Sequence, residues 1–301
     1  MIDTGLIYDS ELADIPDLNI YRMRLAALRK IDMSSFSIDA IQRVFMQFAS
    51  VCPNTYGYFT PEKFNYHKFY RVRVNIDSKS EDLEKAYSYP PIHLCKANGR
   101  ANMKDKAVFY CSNEAWAAIY EAKPKVGDIC HLSIWTPKAN RNVKFGIALS
   151  KKMGKDNIWR MMAEDAYEFA KQHAREHGQN KAAQLEELFE FLADQFLLEK
   201  EPYPLTSWLA DNILYSDHKN DFLLYPSIET RGKFCNMAFL PDSADTLLNL
   251  EKVVTFIVRN ISHDDLGVGT GKVGEFTGGK VQWHHAGQNE LNKYISNGEE
   301  V

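Results

Sequence analysis

The clearest strand pattern in the chain is the stretch KFYRVRVNI, residues 68–76. Apolar and polar side chains alternate along it, which is the period-two pattern of a β-strand. One face carries Tyr70, Val72, Val74 and Ile76, and the other carries Phe69, Arg71, Arg73 and Asn75. Two guanidinium groups on one face are costly to bury unless carboxylates or phosphates pair with them. The stretch therefore predicts either an exposed face with solvated arginines or a face that presents Arg71 and Arg73 to an anion.

Further strands and helices surround this stretch. The apolar patterns predict strands over residues 107–111, 128–135, 143–149, 222–225, 234–240 and 253–258, the last being the final core strand. They predict helices over residues 18–31, 37–50, 113–122, 158–176, 182–199 and 206–215, with Ser37 and Ser112 as N-caps. The glycines between Gly267 and Gly279 are interpreted as hairpin turns, and the residues from Ser296 onward as a frayed tail. The mixture predicts an α+β fold with a mixed or antiparallel β core and flanking helices.

The order of these elements predicts three regions. Residues 1–60 are a helical N-terminal segment, after which Pro53, Gly57 and Pro61 mark a break. Residues 61–260 are the main domain, with a helical insertion near residues 156–216. Residues 261–301 are a glycine-rich hairpin and tail.

Composition and charge narrow the functional classes. The chain has 301 residues and a formal net charge of −4, so no global field attracts it to nucleic acid or to an anionic membrane. It contains no apolar run of the length that spans a bilayer, and acidic residues near the N-terminus argue against a secretory signal. Its five cysteines are widely spaced without a C-x-x-C pair, which favours reduced thiols over disulfides or a zinc site. We therefore expect a cytoplasmic protein that binds neither a membrane nor nucleic acid directly.

Several short motifs carry polar groups at the ends of predicted elements. Gly99-Arg100 follows a segment rich in turn-forming residues. A glycine at this position lets the backbone come close to a ligand, which the Arg100 guanidinium can then bind. Tyr110 ends a predicted strand, and Glu121 lies at the C-terminal end of the next helix, where a carboxylate opposes the helix dipole. That unfavourable placement indicates a functional role, unless Lys123 or Lys125 neutralises the charge. Ser227 follows a strand that ends in proline, and its alternative interpretation is an ordinary turn serine.

Two other motifs are weaker. The segment from Gly267 to Lys272 is followed by Val273 where a phosphate-binding loop has serine or threonine, so a P-loop is rejected. The neighbouring residues His284 and His285 point to opposite faces if they lie on a strand, so no metal site is assigned.

The order of the motifs resembles the RES domain family, which is named for its arginine, glutamate and serine. The matching features are Tyr-Arg in the first strand, Gly-Arg-x-Asn, a strand that ends in tyrosine, a helix that ends in Tyr-Glu, Tyr-Pro-Ser, and a strand that begins with asparagine. They span about residues 66–245. The chain departs from the family pattern in its N-terminal helices, its helical insertion, its C-terminal extension and the alanine in Gly-Arg-Ala-Asn. These departures weaken the inference of a toxin role more than that of a nucleotide site.

The resemblance implies an ADP-ribosyltransferase-like fold and an enzyme that consumes NAD+ as its substrate, without a separate cofactor. It implies Glu121, Arg100 and Ser227 as catalytic residues and Arg71, Arg73, Tyr110 and Asn236 as binding residues, with Arg73 competing with Arg71 for one role. It also implies a bacterial toxin with an antitoxin protein as its partner, and we consider a homo-oligomer as well. The alternatives are transfer of ADP-ribose to a macromolecule and a non-catalytic binding module.

Overall fold

The computed structural model describes residues 14–52, 56–150, 153–154, 157, 159–215, 219–262, 265–277 and 280–295. The helices are α1 (Leu18–Leu28), α2 (Ile38–Ala49), α3 (Pro61–Phe64), α4 (Ala115–Glu121), α5 (Arg160–Glu176), α6 (Gln179–Leu198), α7 (Pro204–Tyr215), α8 (Pro241–Leu247) and α9 (Gln288–Ile295). The strands are β1 (Tyr56–Phe59), β2 (Phe69–Val74), β3 (Phe109–Ser112), β4 (Ile129–Pro137), β5 (Val143–Ile147), β6 (Phe222–Pro226), β7 (Cys235–Phe239), β8 (Leu248–Ile261), β9 (Leu266–Thr277) and β10 (Lys280–Ala286). Within these residues, no helix is long and apolar enough to cross a bilayer.

The strands form one 10-stranded sheet in the order β1-β5-β6-β7-β3-β2-β4-β8-β9-β10. Only the β5–β6 pair is parallel among the described strand pairs. Helices cover both faces of this sheet, and the predicted α+β class is confirmed. The sheet contains β1 and β10, so it crosses both predicted region boundaries, and the three-region division stays a prediction.

The two sheet faces bury cores of different size. The larger core contains Phe69, Phe109 and Trp135 together with the N-terminal helices and the helices from α5 to α7. The smaller core lies beneath α4 and α9 and includes Leu132 and Val254. Both faces of β2 are therefore covered, since Phe69 packs in the larger core and Tyr70, Val72 and Val74 pack against the smaller one.

The N-terminal helices pack on the helices of the predicted insertion. The Ser37 hydroxyl accepts a hydrogen bond from the Ala40 amide at 3.3 Å, which confirms Ser37 as the N-cap of α2. The Phe45 ring of α2 lies 5.1 Å from the Trp208 ring of α7, measured between centroids. Two ion pairs, Arg22–Glu187 at 2.7 Å and Arg29–Asp194 at 2.8 Å, join α1 and its C-cap residue Arg29 to α6.

The C-terminal part of the chain differs from the prediction. Strand β8 is not the final core strand, since β9 and β10 follow it in the same sheet. The glycines between Gly267 and Gly274 lie inside β9 rather than in hairpin turns, so that interpretation was wrong. At Gly271 a Cβ atom would lie 1.7 Å from the Thr255 carbonyl oxygen, so the close strand approach requires glycine there. Gly278, Gly279, the break at Pro53 and the tail from Ser296 lie outside the described residues.

Candidate active site

A cleft opens where β2 and β3 diverge. These two antiparallel strands pair only at Tyr70 and Ser112, whereas β2 pairs with β4 over six residues from Phe69 to Val74. The resulting cleft has a volume of about 360 Å³. Its lining includes five of the predicted site residues, namely Arg71, Arg100, Tyr110, Glu121 and Asn236.

Glu121 is held in the cleft by two neutral donors. It is the last residue of α4, and its Oε1 atom accepts hydrogen bonds from Ser227 Oγ at 2.6 Å and Asn236 Nδ2 at 2.8 Å. No described residue donates to Oε2. Neither Lys123 nor Lys125, the two alternatives for neutralising this charge, forms an ion pair with Glu121 among the described residues. The Lys123 ammonium lies 3.0 Å from the Glu229 carboxylate, and its charge also acts on Glu121 at longer range. The Glu121 carboxylate therefore keeps one oxygen for a ligand.

Ser227 lies behind Glu121 rather than on the cleft surface. It follows β6 directly, has 0% of its surface exposed, and its backbone amide donates to the Phe234 carbonyl at 3.0 Å. Since its hydroxyl donates to Glu121, the geometry supports a role in positioning the carboxylate.

Asn236 is fixed from a neighbouring strand. Ser112 and Asn236 are cross-strand partners on β3 and β7, and Ser112 Oγ donates to Asn236 Oδ1 at 2.5 Å. This bond turns the amide so that Nδ2 faces Glu121. Ser112 is therefore not the N-cap of α4 as predicted. It is the last residue of β3, and the N-cap position is Glu114, whose side chain makes no capping bond.

Arg71 enters the cleft where the strands separate. Its Nη1 atom donates to the Tyr110 carbonyl at 2.7 Å, and its guanidinium carbon lies 5.5 Å from the centroid of the Phe109 ring. Its Nε atom is buried and has no hydrogen-bond partner among the described residues. Burial and, to a smaller extent, the nearby Arg73 charge lower the pKa of Arg71 to about 10. The group is still a cation at neutral pH.

Arg100 reaches the cleft from the turn formed by Gly99–Asn102. Its Nη1 atom donates to the carbonyls of Phe196 at 2.9 Å and Glu199 at 3.1 Å, which lie at the C-terminal end of α6. Its guanidinium carbon stacks 4.4 Å from the Tyr203 ring centroid. Neither Arg100 nor Arg71 forms an ion pair with a carboxylate in the described part of the chain. The cleft thus contains two cations that have no protein counter-ion there.

Tyr110 of β3 forms hydrogen bonds to the turn Gly99–Asn102, which carries Arg100. Its hydroxyl donates to Asn102 Oδ1 at 2.7 Å and accepts from the Ala101 amide at 2.9 Å. Burial raises the pKa of Tyr110 above its ordinary value, so the phenol is neutral. At Gly99 a Cβ atom would lie 2.7 Å from the Tyr110 hydroxyl, so this glycine permits the contact.

Arg73 is not brought to this cleft. It lies two residues beyond Arg71 on β2 and lines a separate groove together with Trp135 and Tyr89. His284 and His285, to which the sequence assigned no metal, do not line the cleft, and His284 Nε2 lies 2.8 Å from Glu290 Oε1. Among the residues that the structure describes, no group of three or more His, Cys, Asp or Glu side chains could hold a metal ion.

Sequence reasoning missed four residues at the cleft. Glu201 and Tyr203 enter it from the α6–α7 connection, Tyr225 from β6, and Glu229 from the following loop. Tyr203 lies about one hundred positions after Arg100, so no local pattern indicates their contact. The available signal was the run Glu201-Pro202-Tyr203-Pro204 between two helices, which is typical of a rigid surface turn.

The arrangement combines an anion-binding pair with a carboxylate. Guanidinium groups bind phosphate oxygens through charge-assisted hydrogen bonds, and a fixed carboxylate stabilises positive charge that develops beside it. A ligand with phosphates next to a sugar carbon that becomes cationic fits both features. The chain matches no protein-family model, and no curated protein or solved structure is significantly similar to it.

Proposed function

We propose that this protein consumes NAD+ by cleaving the bond between nicotinamide and ribose. The observation that carries this proposal is the placement of Arg71 and Arg100, two cations without a described counter-ion, around the carboxylate of Glu121. The resemblance to the RES domain family supports the same activity. An antitoxin partner, a toxin role and self-association stay expectations from the sequence.

The reaction requires little proton transfer from the protein. When the glycosidic bond breaks, its electron pair leaves with nicotinamide, which departs as a neutral molecule and needs no general acid. Positive charge develops on the ribose ring, as in glycoside hydrolysis. The free Oε2 of Glu121 supplies a fixed negative charge to stabilise it, and this stabilisation is stronger in the transition state than in the ground state.

The two arginines would hold the diphosphate of the substrate. Arg71 is suited to this role because its hydrogen bond to the Tyr110 carbonyl uses only Nη1, and its buried Nε has no partner among the described residues. Arg100 also stabilises the end of α6, but both of those bonds likewise use Nη1 alone. The remaining donors of Arg100 are not buried and are available to a ligand in the cleft.

The direct test is nicotinamide release from NAD+ by the purified protein. We expect the wild type to release nicotinamide and Glu121→Gln to be slower by about a thousandfold, because the amide keeps the shape but removes the charge. Glu176→Gln is the matched control, since Glu176 ends helix α5 with 74% of its side chain exposed. Wild-type protein that releases no nicotinamide, or Glu121→Gln with wild-type activity, would contradict the proposal.

Product analysis identifies the group that captures the ribosyl cation. Reactions with and without inorganic phosphate distinguish free ADP-ribose from its 1″-phosphate. A reaction with labelled NAD+ and cell extract detects transfer to a macromolecule instead.

A further inference from the structure

A second groove, larger than the cleft, lies at the other end of β2. Its volume is about 830 Å³, compared with about 360 Å³ for the cleft. Residues 73–76 and Trp135 line it on one side, residues from the segment 77–91 form one wall, and Ala244, Asp245 and Leu248 contribute the other.

Side-chain hydrogen bonds hold the walls of this groove in place. Tyr89 donates to Asp245 Oδ2 at 2.8 Å and so joins one wall to the other. Within the first wall, Tyr87 donates to the Glu81 carbonyl at 2.7 Å, and Trp283 Nε1 of β10 donates to Asp82 Oδ1 at 2.7 Å. The groove is therefore preformed, as small-molecule sites usually are.

Arg73 carries the guanidinium that lines this groove, and like Lys85 and Lys138 it has no ion pair among the described residues. Its side chain is half-buried, and no described residue forms a hydrogen bond or an ion pair with its guanidinium. Its cross-strand neighbour, His131, is only 1% exposed, and neither ring nitrogen has a partner among the described residues. The cost of an unpaired buried group applies to the His131 ring, whereas the Arg73 guanidinium is not fully buried and is open to the groove. A bound anion would supply the missing partner to Arg73.

The acidic residues of the groove limit the charge of that anion. Asp245 accepts from Tyr89, and Asp77 accepts from the Lys79 amide at 3.0 Å, so both carboxylates are held at the walls. Together with Glu84 they match in number the three cations that line the groove, Arg73, Lys85 and Lys138. A ligand with several negative groups would therefore also face these carboxylates, which favours a ligand with a single anionic group.

We propose that the groove binds a small organic molecule with one anionic group and an apolar body. The anion, a carboxylate or a phosphate, pairs with Arg73, since a guanidinium binds both in the same bidentate manner. The apolar body packs on Leu83, Ala244 and Leu248, which line the walls. This site is separate from the cleft and does not depend on the proposed reaction.

Three probes with the same ring test this site. Benzoate carries the carboxylate, phenyl phosphate carries the phosphate, and benzyl alcohol is the uncharged control. Binding to the full chain is measured by calorimetric titration and ligand-observed NMR. We expect at least one anionic probe to bind, and Arg73→Met to weaken it about tenfold or more, because a charge-assisted pair is lost. Arg73→Lys keeps the positive charge but lacks the paired N–H donors of the guanidinium, so it should weaken binding of the anionic probe less.

The cleft variant Arg100→Met distinguishes the two sites. It should bind the anionic probe as the wild type does, whether or not the protein cleaves NAD+. Three results would overturn the proposal. The anions bind equally to the wild type and to Arg73→Met, benzyl alcohol binds as well as the anions, or neither anion binds. Loss of binding in Arg100→Met but not in Arg73→Met would assign the ligand to the cleft and overturn it as well.

Discussion

Glu121 shows how a carboxylate is accommodated at the end of a helix without an ion pair. Its Oε1 accepts hydrogen bonds from a hydroxyl and an amide, which are neutral, so its charge is not cancelled by a direct ion-pair partner and its Oε2 is still available to a ligand. A lysine or arginine partner would have stabilised the Glu121 carboxylate at the C-terminal end of α4, but it would also have cancelled that charge. The nearby Lys123 ammonium instead pairs with Glu229 and acts on Glu121 only at longer range.

The two cleft arginines should have separable effects on binding and stability. Arg71→Met should raise KM for NAD+ about tenfold or more with little change in kcat, because it removes a phosphate contact made in ground state and transition state alike. Arg100→Met should raise KM and also lower the free energy of unfolding by about 1–3 kcal/mol, since the Phe196 and Glu199 carbonyls lose their donor.

Steady-state kinetics and urea unfolding measure these two effects. Arg22→Met is the control, because it removes a guanidinium that pairs with Glu187 on the surface, with 53% of the Arg22 side chain exposed. Unchanged KM values in both cleft variants would show that neither arginine binds substrate.

At the residue scale, the sequence identified most of the predicted residues that line the cleft, but not how far the cleft extends along β2. Alternation along β2 places Arg71 and Arg73 on the same face, yet only Arg71 reaches the cleft. The reason is that the cleft exists only where β3 leaves β2, and strand divergence is a non-local property that alternation does not encode. The role of Ser112 was mistaken for the same reason, because its partner lies on a strand more than one hundred positions later.

At the scale of elements, strands β3 and β7 should act on Glu121 as a pair. Ser112→Ala should lower kcat about five- to tenfold, because the Asn236 amide loses the bond that orients it. In an Asn236→Ala background, Ser112→Ala should not lower kcat further, since Ser112 acts only through Asn236.

This double-mutant cycle is measured by nicotinamide release, with thermal unfolding to verify the fold. Ser243→Ala is the control, because Ser243 is also buried but donates to Asp221, outside the cleft lining. Additive effects of Ser112→Ala and Asn236→Ala would exclude the positioning role.

Strand β9 should be intolerant of a side chain at its closest contact. Gly271→Ala should destabilise the protein by several kcal/mol, because the new methyl group would lie 1.7 Å from the Thr255 carbonyl oxygen. Gly287→Ala should be tolerated, since a Cβ atom there has no neighbour within 4 Å. Urea unfolding of both variants tests this, and a Gly271→Ala protein of wild-type stability would contradict the described strand register.

Most elements were predictable because their apolar periodicity is local. The strands from β2 to β7 and the helices from α5 to α7 agree with the expected spans to within a few residues. Strand β9 was missed because glycine carries no side chain to alternate, so a strand built on close backbone approach resembles a turn in sequence. The short β1 was missed because its four residues lie between the turn signals around Pro53 and Pro61.

At the scale of the whole molecule, stability should depend on pH through His131. Burial lowers the pKa of His131 to about 4, so the folded protein holds it neutral while the unfolded chain protonates it near pH 6.5. Nearby Glu81 opposes this shift, whereas Lys272 and Arg73 favour it. The unfolded state therefore binds the additional proton between these two pH values. The resulting stability is fully present above pH 6.5 and is lost as the pH falls toward 4.

Urea unfolding at pH 7.5, 5.5 and 4.5 tests this linkage in wild type and His131→Phe. The wild type should lose up to about 3 kcal/mol more than the variant over this range, because phenylalanine does not titrate. The same pH dependence in both proteins would show that His131 does not contribute.

The α+β class was predictable as a whole, whereas the joining of all ten strands into one sheet was not. Strand order depends on pairings between distant segments, such as β1 with β5 and β3 with β7. The sequence pattern separates helices from strands but does not specify those partners. The position of the cleft in this sheet is a consequence of the strand order.

The central claim is that Glu121 acts on NAD+ held by the cleft, and the most direct measurement separates binding from cleavage in one protein. NAD+ is titrated into Glu121→Gln by calorimetry, and nicotinamide release is followed in the same preparation and in the wild type. We predict that the variant binds intact NAD+, with an affinity that Arg71→Met weakens about tenfold or more, and that it releases nicotinamide about a thousandfold more slowly than the wild type. Cleavage of NAD+ by the variant at the wild-type rate, or no binding of NAD+ to either protein, would contradict the account.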